Sequence, residues 1–168
     1  MAALVKAYKF LAGDRSGLFT RFRWPLPSGD APGAWVEAEP VSSCRSGVHA
    51  CRVEQLPYWL AAGLYEVELE GEIVEKPLKV VAARGRLVRR IDAWNDAARA
   101  EFAAACGERA RELGGAALPD WPPPPGGEPQ PPLAAFMAAR IAERLAGIEA
   151  YRAERERQSA WLAERLGL

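Results

Sequence analysis

The chain is short of the groups that usually announce chemistry. It has one histidine, three cysteines and four lysines in 168 residues, and its acidic and basic side chains cancel to a formal net charge of zero. A zero balance supplies no long-range field toward nucleic acid or an anionic membrane. No run approaches the ~18 apolar residues of a membrane span. Three cysteines cannot all pair within one chain, and no uninterrupted apolar stretch follows Lys6 and Lys9, so neither a disulfide framework nor a secretory leader is expected. Cys-x-x-Cys knuckles are also missing. A reduced bacterial cytoplasm is the expected compartment. The eighteen arginines accompany abundant Ala, Gly and Pro and read as codon usage rather than as a basic surface.

What is present is an ordinary apolar content of 49% and a change of pattern along the chain. Residues 4–11 alternate loosely and predict a strand. Gly13–Gly17 reads as a turn, and Leu18–Trp24 alternates cleanly enough to predict a strand hairpin-paired with the first. Pro25–Gly33 is a surface loop by composition, and Ala34–Ala38 and Val48–Ala50 read as short strands. Leu56, Trp59 and Leu60 fall at helical spacing, so 53–62 predicts a short helix starting near Glu54, because Pro57 is tolerated only in a first turn. Leu64–Glu70 is the clearest strand, extended by 71–77, and Leu78–Ala83 and Arg86–Ile91 predict two more.

From Ile91 the period lengthens. Ile91, Trp94, Ala98, Phe102 and Ala105 step by three and four, as in an amphipathic helix ending near Leu113 before Gly114-Gly115. Residues 118–132 hold eight prolines among fifteen and predict a semi-rigid, polyproline-like linker. Residues 133–166 read as one long helix with Leu133, Met137, Ile141, Leu145 and Ile148 in a stripe. That stripe needs a partner, either the helix at 91–113 or another chain. The expected class is therefore α+β: a mostly antiparallel sheet with one short helix over 1–91, a packing helix over 92–114, a Pro-rich linker over 115–132 and an interaction helix over 133–168. Self-association or capture of a protein partner is expected through 133–168, with no membrane or nucleic-acid partner.

The segment Cys44-Arg-Ser-Gly-Val-His-Ala-Cys51 concentrates the scarce residues. As a zinc site it supplies three ligands, with Cys106 a distant fourth, where a structural site wants four. As a nucleophile–base pair, His49 and Cys51 on one strand face stand ~6–7 Å apart, beyond a direct hydrogen bond. The reading preferred on residues alone makes Cys44 and Cys51 small buried hydrophobes, His49 a hydrogen-bonded core or cleft residue, and Gly47 a backbone requirement. No metal and no cofactor are then expected. Glu66, Glu68 and Glu70 line one strand face, where repulsion raises a pKa or arginines such as Arg86 answer them. Arg84, Arg86, Arg89 and Arg90 read as a solvated edge. Trp24 and Trp35 flank the proline loop and could line a groove.

Two resemblances rest on these residues. Ala7-Tyr8-Lys9-Phe10, Cys44-x-x-Gly47-Val-His49-Ala-Cys51, Gly71-Glu-Ile-Val and Lys79-Val-Val-Ala82 together resemble an uncharacterised domain of phage and bacterial proteins. Its members carry a similar Gly-Phe-His-Ala-Cys segment, often ahead of short tandem repeats. The resemblance spans about 5–91 and implies no activity. A weaker likeness is to the ADP-ribosyltransferase fold, on the order Gly47-Val48-His49-Ala50, short helix at 53–62, strand at 64–70. That likeness implies an NAD cleft near His49, with His49, Tyr8 and Glu66 as the catalytic candidates. Where that fold carries His or Arg on its first strand, this chain has Tyr8 and Lys9.

Overall fold

A computed structural model describes residues 4–38, 41, 46–114 and 130–168. The chain divides into two compact units, 1–92 and 93–168. The α+β expectation holds, with the sheet in the first unit and the helices in the second. Among the described residues no helix is long and apolar enough to cross a membrane.

The first unit is built on one long hairpin. Strands β4 (Gly63–Lys76) and β5 (Lys79–Arg90) pair antiparallel from Tyr65 opposite Arg90 to Lys76 opposite Lys79. The two strands expected between Leu78 and Ile91 are thus a single one. β1 (Val5–Leu11) lies antiparallel on the free edge of β4, Val5 facing Leu69 and Leu11 facing Gly63. The free edge of β5 takes β3 (Val48–Ala50) opposite 80–82 and the two-residue β2 (Val36–Glu37) opposite Gly85 and Arg84. The sheet then curls on itself. Cys51, just past β3, exchanges two 2.8 Å backbone hydrogen bonds with Tyr8 of β1. Pairing therefore runs β1–β4–β5–β3 and back to β1, leaving few unsatisfied backbone groups on those edges.

Alternation along the strands decides which side chains fill the ring. Leu11, Tyr65, Val67, Leu69, Val80 and Leu87 are buried together inside it. Each large side chain so removed from water contributes about 1.5–3 kcal/mol. The outward positions of β4 and β5 carry opposite charges in register: Glu68 meets Arg86 at 2.7 Å, Glu66 meets Arg89 at 2.8 Å and Glu70 meets Arg84 at 3.1 Å. The glutamate row is answered by the arginine run, as cross-strand pairing favours. Gly47 sits at φ +120°, and a Cβ there would collide with the Val81 side chain. Its role is backbone geometry, as expected.

Two expected elements differ. Residues 53–62 form only a 3₁₀ turn, Val53–Tyr58, with Pro57 inside it. The ring at Pro57 removes a donor that a full α-helix would need. Leu18–Trp24 is no strand at all, and β1 pairs with β4 instead. Its alternating pattern is overridden by local turns: Gly17 N–H donates to the Phe22 carbonyl at 2.9 Å, Arg21 N–H donates to the Gly17 carbonyl at 3.1 Å, and Arg21 adopts φ +53°.

The second unit comprises α1 (Asp96–Gly114), α2 (Pro131–Ala146) and α3 (Ile148–Leu166). Asn95 Oδ1 accepts from the Ala98 N–H at 3.0 Å and caps α1, which accounts for a start later than residue 91. The single helix expected over 133–166 is broken at Gly147, φ +82°, so that α3 folds back along α2. Arg109 reaches Glu154 at 3.3 Å and Arg165 reaches Glu101 at 2.8 Å, so α3 runs antiparallel to α1 as well. Phe102 packs on Trp161 and Trp94, with ring centroids 5.1 and 6.1 Å away. The linker expected over 115–132 lies, up to residue 129, outside the described residues.

Candidate functional site

β1 and β3 share the Tyr8–Cys51 bridge and then part. The gap between them is closed by the loop from Gly17 to Trp24, and the result is a pocket of about 660 Å³ in the first unit. Its walls come from β1, β2, β3, that loop, Trp59 and Lys79. The 3₁₀ turn delivers Trp59, whose indole N–H donates to the Leu78 carbonyl. Phe19 stands 82% exposed at the rim, edge-on to Trp59 at 5.9 Å, and Phe22 meets Trp24 edge-on at 5.7 Å. Such edge-to-face pairs fix aromatic orientation at a surface.

Lys9 is the polar centre of this wall. It lies on the Ala7–Leu11 side of β1, the side that points into the ring. Its Nζ donates to the His49 carbonyl at 2.5 Å and sits 4.8 Å from the Trp24 ring centroid. The ammonium thus bridges the place where the two strands separate. Burial pulls its pKa down to about 8, against a small opposing effect from Cys51.

His49 and Tyr8 both line the pocket. His49 is held neutral, its pKa lowered to about 4 by burial and then by Lys79 and Lys9. Its Nε2 is buried and finds no hydrogen-bond partner among the described residues. Glu66 is not among the lining residues; it lies 3.2 Å from Lys6 and 2.8 Å from Arg89. Cys51 donates its thiol to the Tyr8 carbonyl at 3.3 Å, and burial pushes its pKa up to about 12. It is therefore a thiol, not a thiolate, at neutral pH. Cys44 lies outside the described residues. Among those that are described, no three His, Cys, Asp or Glu side chains gather as a metal set. Trp24 lines the pocket, whereas Trp35 packs under Arg84 and Arg86 at 4.4 and 4.7 Å.

The residues that sequence reasoning passed over are Lys9, Phe19, Phe22 and Trp59. A lysine within the apolar alternation of β1 was the available signal. Period-two alternation over 18–24 would put Phe19 and Phe22 on opposite faces of a strand, and that strand does not form.

A second surface lies on α2. Its inward face is alanine, with Ala134, Ala135, Ala138, Ala139 and Ala142 buried. Of the expected stripe, Leu133 and Leu145 on α2 are 41% and 62% exposed, with Met137 and Ile141 half-buried between them. Ile148, 51% exposed, belongs to α3 beyond the break at Gly147, and Phe136, outside the stripe, is 47% exposed. The small face allows close helix approach within the unit and leaves the large one uncovered. Against protein-family models, curated proteins and solved structures, the chain finds no match.

Proposed function

We propose that the chain is a non-catalytic assembly module that pairs with a second copy of itself through the outer face of α2. The observation that carries this reading is the division of α2 into a buried alanine face and a partly uncovered stripe of Leu133, Met137, Ile141 and Leu145. Each large side chain on the uncovered face forgoes up to about 1.5–3 kcal/mol of burial. Contiguous apolar surface of this kind marks an interaction site.

The pattern favours a second copy over an unrelated chain. On α2, Leu133, Met137, Ile141 and Leu145 recur every four residues, symmetrically about position 139. A two-fold antiparallel pair therefore sets Leu133 against Leu145 and Met137 against Ile141, which is the self-complementarity an isologous dimer requires. Arg140, beside the centre, is already ion-paired with Glu143 and brings no bare charge to the seam. The 16-residue helix is about 24 Å long, enough for two such faces to bury on the order of 1,000 Å². The setting suggested by the resemblance of residues 5–91 is a bacterial or phage-related system, and the cysteine usage favours a reduced cytoplasm.

The transferase alternative, with NAD near His49, draws less support. Tyr8 and His49 reach one pocket, but Glu66 is committed to Lys6 and Arg89, and a neutral His49 carries no charge for a pyrophosphate.

Sedimentation of the full chain at tens of micromolar tests the assembly. A dimer is expected, and Leu133→Glu with Leu145→Glu should give a monomer that stays folded, since both side chains are already partly in water. A monomeric wild type, or a dimer that survives the double change, would defeat the proposal.

A further inference from the structure

We propose that the pocket between β1, β3 and the Gly17–Trp24 loop is a binding site for a small aromatic carboxylate. The proposal does not depend on assembly through α2. At about 660 Å³ the cavity is of the size that encloses a small organic molecule. Phe19, Phe22, Trp24 and Trp59 supply ring faces and edges on its walls. Phe19 in particular is a large apolar side chain left almost wholly in water at the rim, a position that a planar ligand would cover.

Charge selects the other half of the ligand. Lys9 is on the wall, and Glu37, the one carboxylate lining it among the described residues, is 3.1 Å from Arg84 and so already answered. Lys9 has one N–H on the His49 carbonyl and a ring beneath it, and no carboxylate partner among the described residues. An ammonium drawn into the protein without an anion is costly, and a ligand anion offsets that cost. Its lowered pKa of about 8 agrees with an uncompensated cation, and still leaves it mostly charged at neutral pH. Among the described residues no arginine lines the pocket, so they bring it none of the forked donors that favour phosphate. Point-charge ammonium groups beside aromatic walls suit a carboxylate on a ring.

The test is a titration of the full chain with 2-naphthoate and with its neutral isostere 2-naphthamide, read by tryptophan fluorescence and by amide shifts. Naphthoate should bind with a Kd of about 1 mM or tighter, and about tenfold more tightly than the amide. Lys9→Met should bring the two affinities together. Phe19→Ala, a change at an exposed position that cannot unfold the chain, should weaken both ligands several-fold. Failure of naphthoate to bind, equal affinities in the wild type, a preference that survives Lys9→Met, or indifference to Phe19→Ala would each overturn the assignment.

Discussion

Gln158 donates its side-chain amide to the Ala135 carbonyl at 3.0 Å, joining two residues 23 apart in sequence. In a continuous helix the same residues would stand about 35 Å apart. The contact is therefore the signature of the reversal at Gly147, where φ is +82°. A Cβ at 147 would meet no atom within 4 Å, so only the backbone conformation resists a side chain there. With ψ at −174° the residue occupies a region essentially reserved for glycine, so Gly147→Ala is expected to cost about 1–3 kcal/mol and to lower the melting temperature by several degrees. An unchanged melting temperature would count against the reversal.

Glu154 is the electrostatic centre of the helical unit. It is buried, and accepts from Arg157 at 2.7 Å, Gln158 at 3.0 Å and Arg109 at 3.3 Å. Burial alone would raise its pKa, but Arg157, Gln158 and Arg109 outweigh it and hold the carboxyl below its ordinary value of 4.5. A depressed acid contributes stability that is present above the unfolded pKa and lost as pH falls through the folded one. Glu154→Gln should therefore lower stability in urea at pH 7 by about 2 kcal/mol, and the penalty should shrink progressively as pH falls below 4.5. A penalty that stays constant as pH falls would show that the carboxylate charge is not what matters.

Much of the fold was legible, and the failures have physical causes. The long β4–β5 hairpin and its charge ladder follow from period two and register, both local and strong. Leu18–Trp24 misled because alternation says nothing of Arg21 at positive φ, which tertiary context imposes. The helix break was missed because one glycine within a charged, helix-favouring run costs only about 1 kcal/mol and carries no other mark. The apolar stripe over 133–148 was legible as a face in need of a partner, but the alanine face that packs inside the unit was not, since alanines rank low on any hydrophobic count yet pack helices closely. His49 and Tyr8 were found by rarity and by resemblance. Lys9 was not, because its significance depends on which way β1 faces and on where β3 leaves it.

The described cysteines, Cys51 and Cys106, are both buried, and burial raises each thiol to about 12. A thiol at that value has almost no thiolate at pH 8, and the thiolate is the reacting species. In a Cys44→Ser background, native protein should react with an aromatic disulfide reagent at least a hundredfold more slowly than protein in urea, where both thiols should label. Fast labelling of either in native protein would place it at the surface.

Lys9 gives the opposite pH signature to an ordinary surface lysine. Its folded pKa of about 8 lies below the ordinary 10.5, because the ammonium is drawn out of water beside Trp24. Between those values the unfolded chain binds a proton that the folded chain does not, so this residue adds stability as pH rises from 8 to 10.5. Below 8 both states are charged, and the desolvation penalty is carried in full. The two buried thiols pull the other way above pH 9, since the unfolded chain ionises them first. The comparison with Lys9→Met cancels their contribution. The variant is expected to be more stable than wild type at pH 7 by about 1 kcal/mol, and the advantage should disappear by pH 10.5. Denaturant midpoints of both proteins across that range decide the matter. A variant less stable than wild type at pH 7 would mean that the bond from Lys9 to the His49 carbonyl outweighs the burial of its charge.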